Sequence, residues 1–142
     1  MATYTVDTRE DLVDPADGLT SFREAVALAA ANPGRDEIRF DPGLKPGPGR
    51  EVRVSLSQGE VEIVDAGGLL IDGDVDGDGV ADVVLRGSGS ATPNQRVLVV
   101  TGGEVDMRHL VLSGGVAQFG SGYASYGGNL AIYASAVVTM QE

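Results

Sequence analysis

The chain has 142 residues, of which 42% are apolar and 5% aromatic, with no cysteine and a formal charge of −11. It is long enough to bury one core, and it cannot form disulfides or thiolate metal sites. Thirteen Asp and eight Glu against ten Lys and Arg repel a phosphate backbone, so nucleic acid is a poor partner, while hard divalent cations are favoured.

Further classes fall away at the N-terminus and along the apolar runs. No apolar run reaches the ~18 residues of a membrane span, so none is expected. Residues 1–20 lack a basic-then-apolar leader, and Met1-Ala2 reads as an expression start on an excised domain. Twenty-one glycines suit tight turns between small stacked aliphatic residues.

In chain order, Thr3–Asp7 alternates and predicts a short strand. Asp11–Gly18 is rich in turn formers and predicts a loop. Ser21-Phe-Arg-Glu24 spells a capping box. The helix formers that follow it predict a helix over Ser21–Ala31, which Asn32-Pro33-Gly34 stops. Phe22, Ala25, Val26 and Ala29 share one face of it. Strands are expected at Glu37–Phe40, Val52–Leu56, Val61–Ile63, Leu69–Ile71, Val83–Leu85, Val97–Val100, Val105–Leu112, Leu130–Tyr133 and Val137–Met140, most of them separated by glycine corners. Pro42–Gly49 reads as a rigid loop.

An internal repeat carries the architectural reading. Arg96-Val-Leu-Val-Val-Thr-Gly-Gly-Glu-Val-Asp-Met107 aligns with Asn129-Leu-Ala-Ile-Tyr-Ala-Ser-Ala-Val-Val-Thr-Met140 at an offset of 33. Repeated strand–corner–strand units predict successive coils of a solenoid. Val116–Tyr126 reads as a loop protruding from one coil. An antiparallel sandwich also has short strands and turns, but it gives no reason for the repeat or the single helix.

Thr20-Ser-Phe-Arg-Glu-Ala-Val26, followed by Ala31-Asn-Pro-Gly-Arg-Asp-Glu-Ile-Arg-Phe-Asp-Pro-Gly-Leu44, resembles the "SLREA" opening of bacterial right-handed parallel β-helix surface and exported proteins. Leu69-Leu-Ile-Asp-Gly73 and Val111-Leu-Ser-Gly-Gly115 resemble that family's rungs. Phe22 replaces the usual Leu, and Ala134-Ser-Ala136 replaces a glycine-rich corner. The resemblance implies a mainly β fold, a right-handed parallel β-helix with an N-terminal α-helical cap. Residues 1–50 would form the cap and 51–142 the first coils, with the chain ending mid-coil. It further implies an extracellular or cell-surface setting and an adhesin-like or carbohydrate-associated role. A noncatalytic module is expected; the alternative is the front of a polysaccharide lyase, hydrolase or epimerase. A carbohydrate or cell-surface ligand, and self-association through the open C-terminal coil, are the expected partners besides calcium.

The strongest chemical signal is Asp74-Val-Asp-Gly-Asp-Gly-Val-Ala-Asp82. Calcium takes six to eight oxygens at about 2.3–2.6 Å, and alternate aspartates in a tight loop set carboxylates on one side. The expected ligands are Asp74, Asp76, Asp78, the carbonyl of Val80, and Asp82. A register starting at Asp72 places Val80 and Val83 at later ligand positions and is disfavoured. Without a cation these aspartates repel one another. His109, the single histidine, has no second His or Cys for zinc and reads as an outward or stacked strand residue. Glu60, Glu62 and Asp65 are conceivable glycosidase acids, but alternation puts Glu60 and Glu62 on one solvated face. Tyr123, Tyr126 and Tyr133 near the protruding loop are conceivable sugar-stacking groups, with core or anchoring roles favoured.

Overall fold

The computed structural model describes residues 1–88, 96–116, 129–133 and 136–141. The protein is mainly β, with parallel strands wound into a β-solenoid of about four turns. The described elements are β1 (Thr3–Val6), α1 (Phe22–Ala31), β2 (Asp36–Phe40), β3 (Val52–Leu56), β4 (Val61–Asp72), β5 (Val83–Gly87), β6 (Leu98–Arg108), β7 (Leu110–Ser113), β8 (Leu130–Ile132) and β9 (Val137–Gln141). A short 3₁₀ turn spans Pro42–Leu44. The rest of the expected loop at 116–126, with Tyr123 and Tyr126, lies outside the described residues, as do 134 and 135 of the second corner.

The strands form three parallel ladders. Residues 69–72 of β4 continue a ladder that begins with β1 and β2, then passes through 105–108 of β6 to β9. β3, β5 and β7 make the second. Residues 61–65 of β4, the first part of β6, and β8 make the third. The chain visits these faces in rotation, and that is why every neighbouring pair is parallel without an antiparallel hairpin. Side chains alternate inward and outward along β3, which reads buried–exposed–buried–exposed–buried, as the pleat requires. Val52, Val54, Leu56, Ile63, Leu69, Ile71, Val83 and Leu85 are fully or almost fully buried and stack coil on coil.

Two pairs of expected strands are joined. β4 runs through Val61–Ile63 and Leu69–Ile71, and β6 runs through residues 98–108. In β4 a register shift between Asp65 and Leu69 marks the crease between faces. The glycines there let the backbone bend without leaving its ladder. The expected strand Val105–Leu112 is instead broken at His109, whose φ of 51° is left-handed and turns the chain from one face to the next. The sequence offset of 33 matches Met107 with Met140 in the ladder, but Leu98 pairs with Leu130, an offset of 32. Residues 101–103 are three and residues 133–136 are four, so the later corner absorbs one extra residue.

Close coil packing makes one corner glycine indispensable. Gly103 has φ +86°, and a Cβ there would lie 1.7 Å from the backbone oxygen of Asp65. The oxygen belongs to a laddered strand and cannot swing away. Gly103→Ala should therefore lower unfolding stability by about 2–3 kcal/mol, measured by urea denaturation. An alanine variant as stable as the parent would show that the coils are not packed at this distance.

Helix α1 forms where the capping box predicts. Ser21 Oγ accepts from the Glu24 amide, and the Glu24 carboxylate accepts from the Ser21 amide. Such a cap contributes about 0.5–2 kcal/mol. Phe22, Ala25, Val26 and Ala29 are buried in the common core, and Phe22 stacks on Phe40 with ring centroids 6.1 Å apart. Between β1 and β2 the chain therefore sends a helix where later coils send strands. Its outer flank meets β4 along a cleft lined by Val26, Ala30, Val61 and Val64.

Candidate metal centre

Residues 73–82 connect β4 to β5 at a corner of the solenoid. Both ends of this loop are fixed to neighbouring coils. The Gly73 amide donates to Arg108 O at 2.9 Å, and the Val52 amide donates to Asp82 O at 2.7 Å. Val75 is buried and joins the core cluster, pinning the loop from beneath. Gly77 and Gly79, with φ of 82° and 79°, make the reversals that bring the aspartates round.

The aspartates also organise the loop backbone. Asp74 Oδ1 accepts from the amides of Gly77 and Asp78 at 2.7 and 3.2 Å, and its Oδ2 accepts from Gly79 at 3.0 Å. Asp78 Oδ1 accepts from Val80, and Asp82 Oδ2 from the Val75 amide. The result is a cup with Asp82 buried, Asp74 half-buried, and Asp76 and Asp78 exposed. Asp74, Asp76, Asp78 and Asp82 each offer an oxygen, and these four lie within 4.8 Å of one another. Two oxygens on opposite sides of a calcium ion are separated by about 4.8 Å at ordinary Ca–O distances. The donor set and its dimensions thus fit a hard divalent ion. Val80, the fifth expected ligand, sits in the same turn, with its side chain exposed and its amide committed to Asp78.

Asp72 is engaged elsewhere. Its Oδ1 accepts from the Asp74 amide at 3.1 Å and lies 2.8 Å from His109 Nδ1. The cluster is therefore the one that begins at Asp74.

A cation already reaches the cup. Lys45, the sole lysine of the chain, extends from the proline-punctuated segment after β2. Its Nζ donates to Asp76 Oδ2 at 2.5 Å and to Asp82 Oδ1 at 2.6 Å. Its side chain is only 10% exposed. Hydrogen bonds to Asp76 and then Asp82 push the Lys45 ammonium above its ordinary range. The hydrogen bond from Lys45 holds the Asp76 carboxyl below its ordinary range. For Asp76 the contribution to stability is present above the usual carboxylate pKa and lost as pH falls through the lowered one. For Lys45 it is present below the usual lysine pKa and lost as pH rises through the raised one. The pair is consequently intact across the neutral range. Nothing in the spacing of the Asp loop points to Lys45; it arrives from 31 residues away through the winding of the coil.

No family model, curated protein or solved structure matches this chain.

The other expected candidates separate. Glu60 Oε2 lies 3.5 Å from Arg96 Nη1, and Glu62 Oε1 accepts from Thr101 Oγ1. Asp65 is buried at the crease, where its Oδ1 accepts from the Gly67 amide. Tyr133 donates its amide to Val100 O as β8 ends. No helix among the described residues is long and apolar enough to cross a membrane.

A buried clamp escaped the sequence reading. Asp11, the first residue of the expected loop Asp11–Gly18, has a side chain of 0% exposure. It takes a bidentate pair from Arg23 at 2.8 and 2.9 Å, and a third bond from the Gln58 amide at 2.8 Å. Arg23 also donates to the carbonyls of Gly59 and Glu60. One loop, the helix and the β3–β4 corner are tied together there.

Proposed function

We propose that this chain is a noncatalytic, calcium-stabilised structural module of a right-handed β-solenoid, with α1 serving as its N-terminal cap. The observation that carries the reading is the convergence of four aspartate oxygens within 4.8 Å on a corner between two faces. An ion there would join β4 to β5 and, through Val52, to β3. That is a folding role and asks for no substrate. The helix would cover apolar rungs and strand edges that would otherwise invite association. The opening motif resembles caps of exported bacterial surface proteins, and an extracellular setting would supply calcium at the concentrations such loops need, with Kd of ~10⁻⁴ to 10⁻³ M.

The test is thermal melting of the whole chain in chelator and in several millimolar calcium. Calcium should raise the Tm by roughly 3–6 °C. The rise should vanish in the Asp76→Asn/Asp78→Asn double variant. A wild-type Tm indifferent to calcium would remove the metal from this reading.

A further inference from the structure

The chain carries twenty-one carboxylates against ten Lys and Arg side chains. Among the described residues six of those cations are held in ion pairs: Arg23, Arg35, Arg39, Lys45, Arg53 and Arg96. One surface runs against the acidic background. Arg9, Arg50 and Arg53 line a cleft of about 470 Å³ together with Pro46, Gly49 and Glu51. They come from two stretches of chain: Arg9 from the loop after β1, and Arg50 and Arg53 from the continuous segment that leads into β3. Only the winding of the coils brings them together.

The charges in this cleft are not balanced. Three guanidinium groups face one carboxylate, which leaves a net +2 among the lining residues. Glu51 approaches only Arg53, and at 3.4 Å. The guanidinium groups of Arg9 and Arg50 have no ion pair or hydrogen bond among the described residues. Like charges gathered on one wall repel unless an anion joins them. Guanidinium forks match planar or tetrahedral oxyanions with two parallel N–H donors. The wall is also shaped. Pro46 fixes its own φ, Gly49 takes φ +67°, and the Arg50 amide donates to Gly47 O at 3.2 Å. The start of the segment is held by Lys45 in the aspartate cup.

We propose that this cleft binds an oxyanion, a sulfate, phosphate or carboxylate group, between Arg9, Arg50 and Arg53. The site is separate from the metal centre and needs no ion there. Its occupant is either a free anion or an oxyanion group carried on a polymer chain.

Calorimetric titration of the whole chain at fixed ionic strength tests it, with inorganic sulfate, inorganic phosphate, sulfated dextran and neutral dextran as probes. Saturable binding to the anionic probes and none to neutral dextran is expected. Arg9→Gln and Arg50→Gln should each weaken it roughly tenfold. Arg39→Gln, whose arginine pairs with Glu37 on another face, should leave it unchanged. Melting curves of the variants show whether each is folded. Sulfated dextran binding more tightly per sulfate than the free ion would assign the anion to a polymer; equal binding would assign it to a free ion. No saturable binding to any anionic probe, or wild-type binding in folded Arg9→Gln/Arg50→Gln protein, would overturn the proposal.

Discussion

Lys45→Met should have opposite consequences with and without calcium. In chelator the variant should melt below the parent, because the ammonium that lies 2.5 Å from Asp76 and 2.6 Å from Asp82 is gone and the carboxylates of the cup face one another unscreened. In calcium the same variant should bind the ion more tightly, by roughly tenfold, since the metal no longer displaces a like-charged group from its own ligands. Methionine keeps most of the apolar stem that lies along the loop, so the comparison isolates the charge. Melting in both conditions, with calorimetric titration of calcium, reads both effects. Equal destabilisation in both conditions, with no calcium bound by parent or variant, would mean that the loop is an ion-pair device and not a metal site.

Asp11→Ala should be the most damaging single change at the helix end of the molecule. It leaves Arg23 with its charge partly buried, at 19% side-chain exposure, without a counter-ion, and it orphans the Gln58 amide. Breaking one side of such a pair costs about 3–5 kcal/mol. Urea unfolding should show the loss at unchanged slope if the whole solenoid still unfolds together. The Asp11→Ala/Arg23→Met double variant should recover much of it, because no buried charge is then left alone. If Asp11→Ala loses less than about 1 kcal/mol, the pair behaves as a surface contact, and the clamp does not hold the loop, helix and β3–β4 corner together.

The parts of the fold legible in the sequence are those set by local chemistry. Ser21 and Glu24 announce the helix start because the capping box closes on itself within four residues. Val52–Leu56 is a strand from end to end because its alternation is unbroken and its inward residues stack on Val83 and Leu85 of β5. The Asp cup was legible because its ligands lie within one short turn. What was hidden depends on winding. The crease that joins residues 61–65 to 69–72 looks like a gap, since glycines mark turns and bends alike. His109 sits in an apolar alternation that gives no warning of its left-handed φ. The one-residue slip between Leu98 and Leu130 cannot be seen in an alignment of aliphatic runs that tolerate it. Lys45 and Asp11 reach their partners across 31 or more residues and 12 or more residues respectively, and no local pattern connects them.

The Asp loop thus has two candidate cations, one supplied by the chain and one by the solvent. Lys45 shields Asp76 and Asp82, which answers the repulsion that the sequence raises. Calcium would replace one positive charge shared by two carboxylates with two shared by four. The exchange would free the segment around Pro46 from the cup while tying β4 to β5.

The most direct test is a crystal structure of the whole chain grown in several millimolar calcium. One calcium ion should be bound by Asp74, Asp76, Asp78 and Asp82, completed by the Val80 carbonyl, with Lys45 Nζ withdrawn from Asp76. A loop holding no ion, with Lys45 still bridging Asp76 and Asp82, would contradict it.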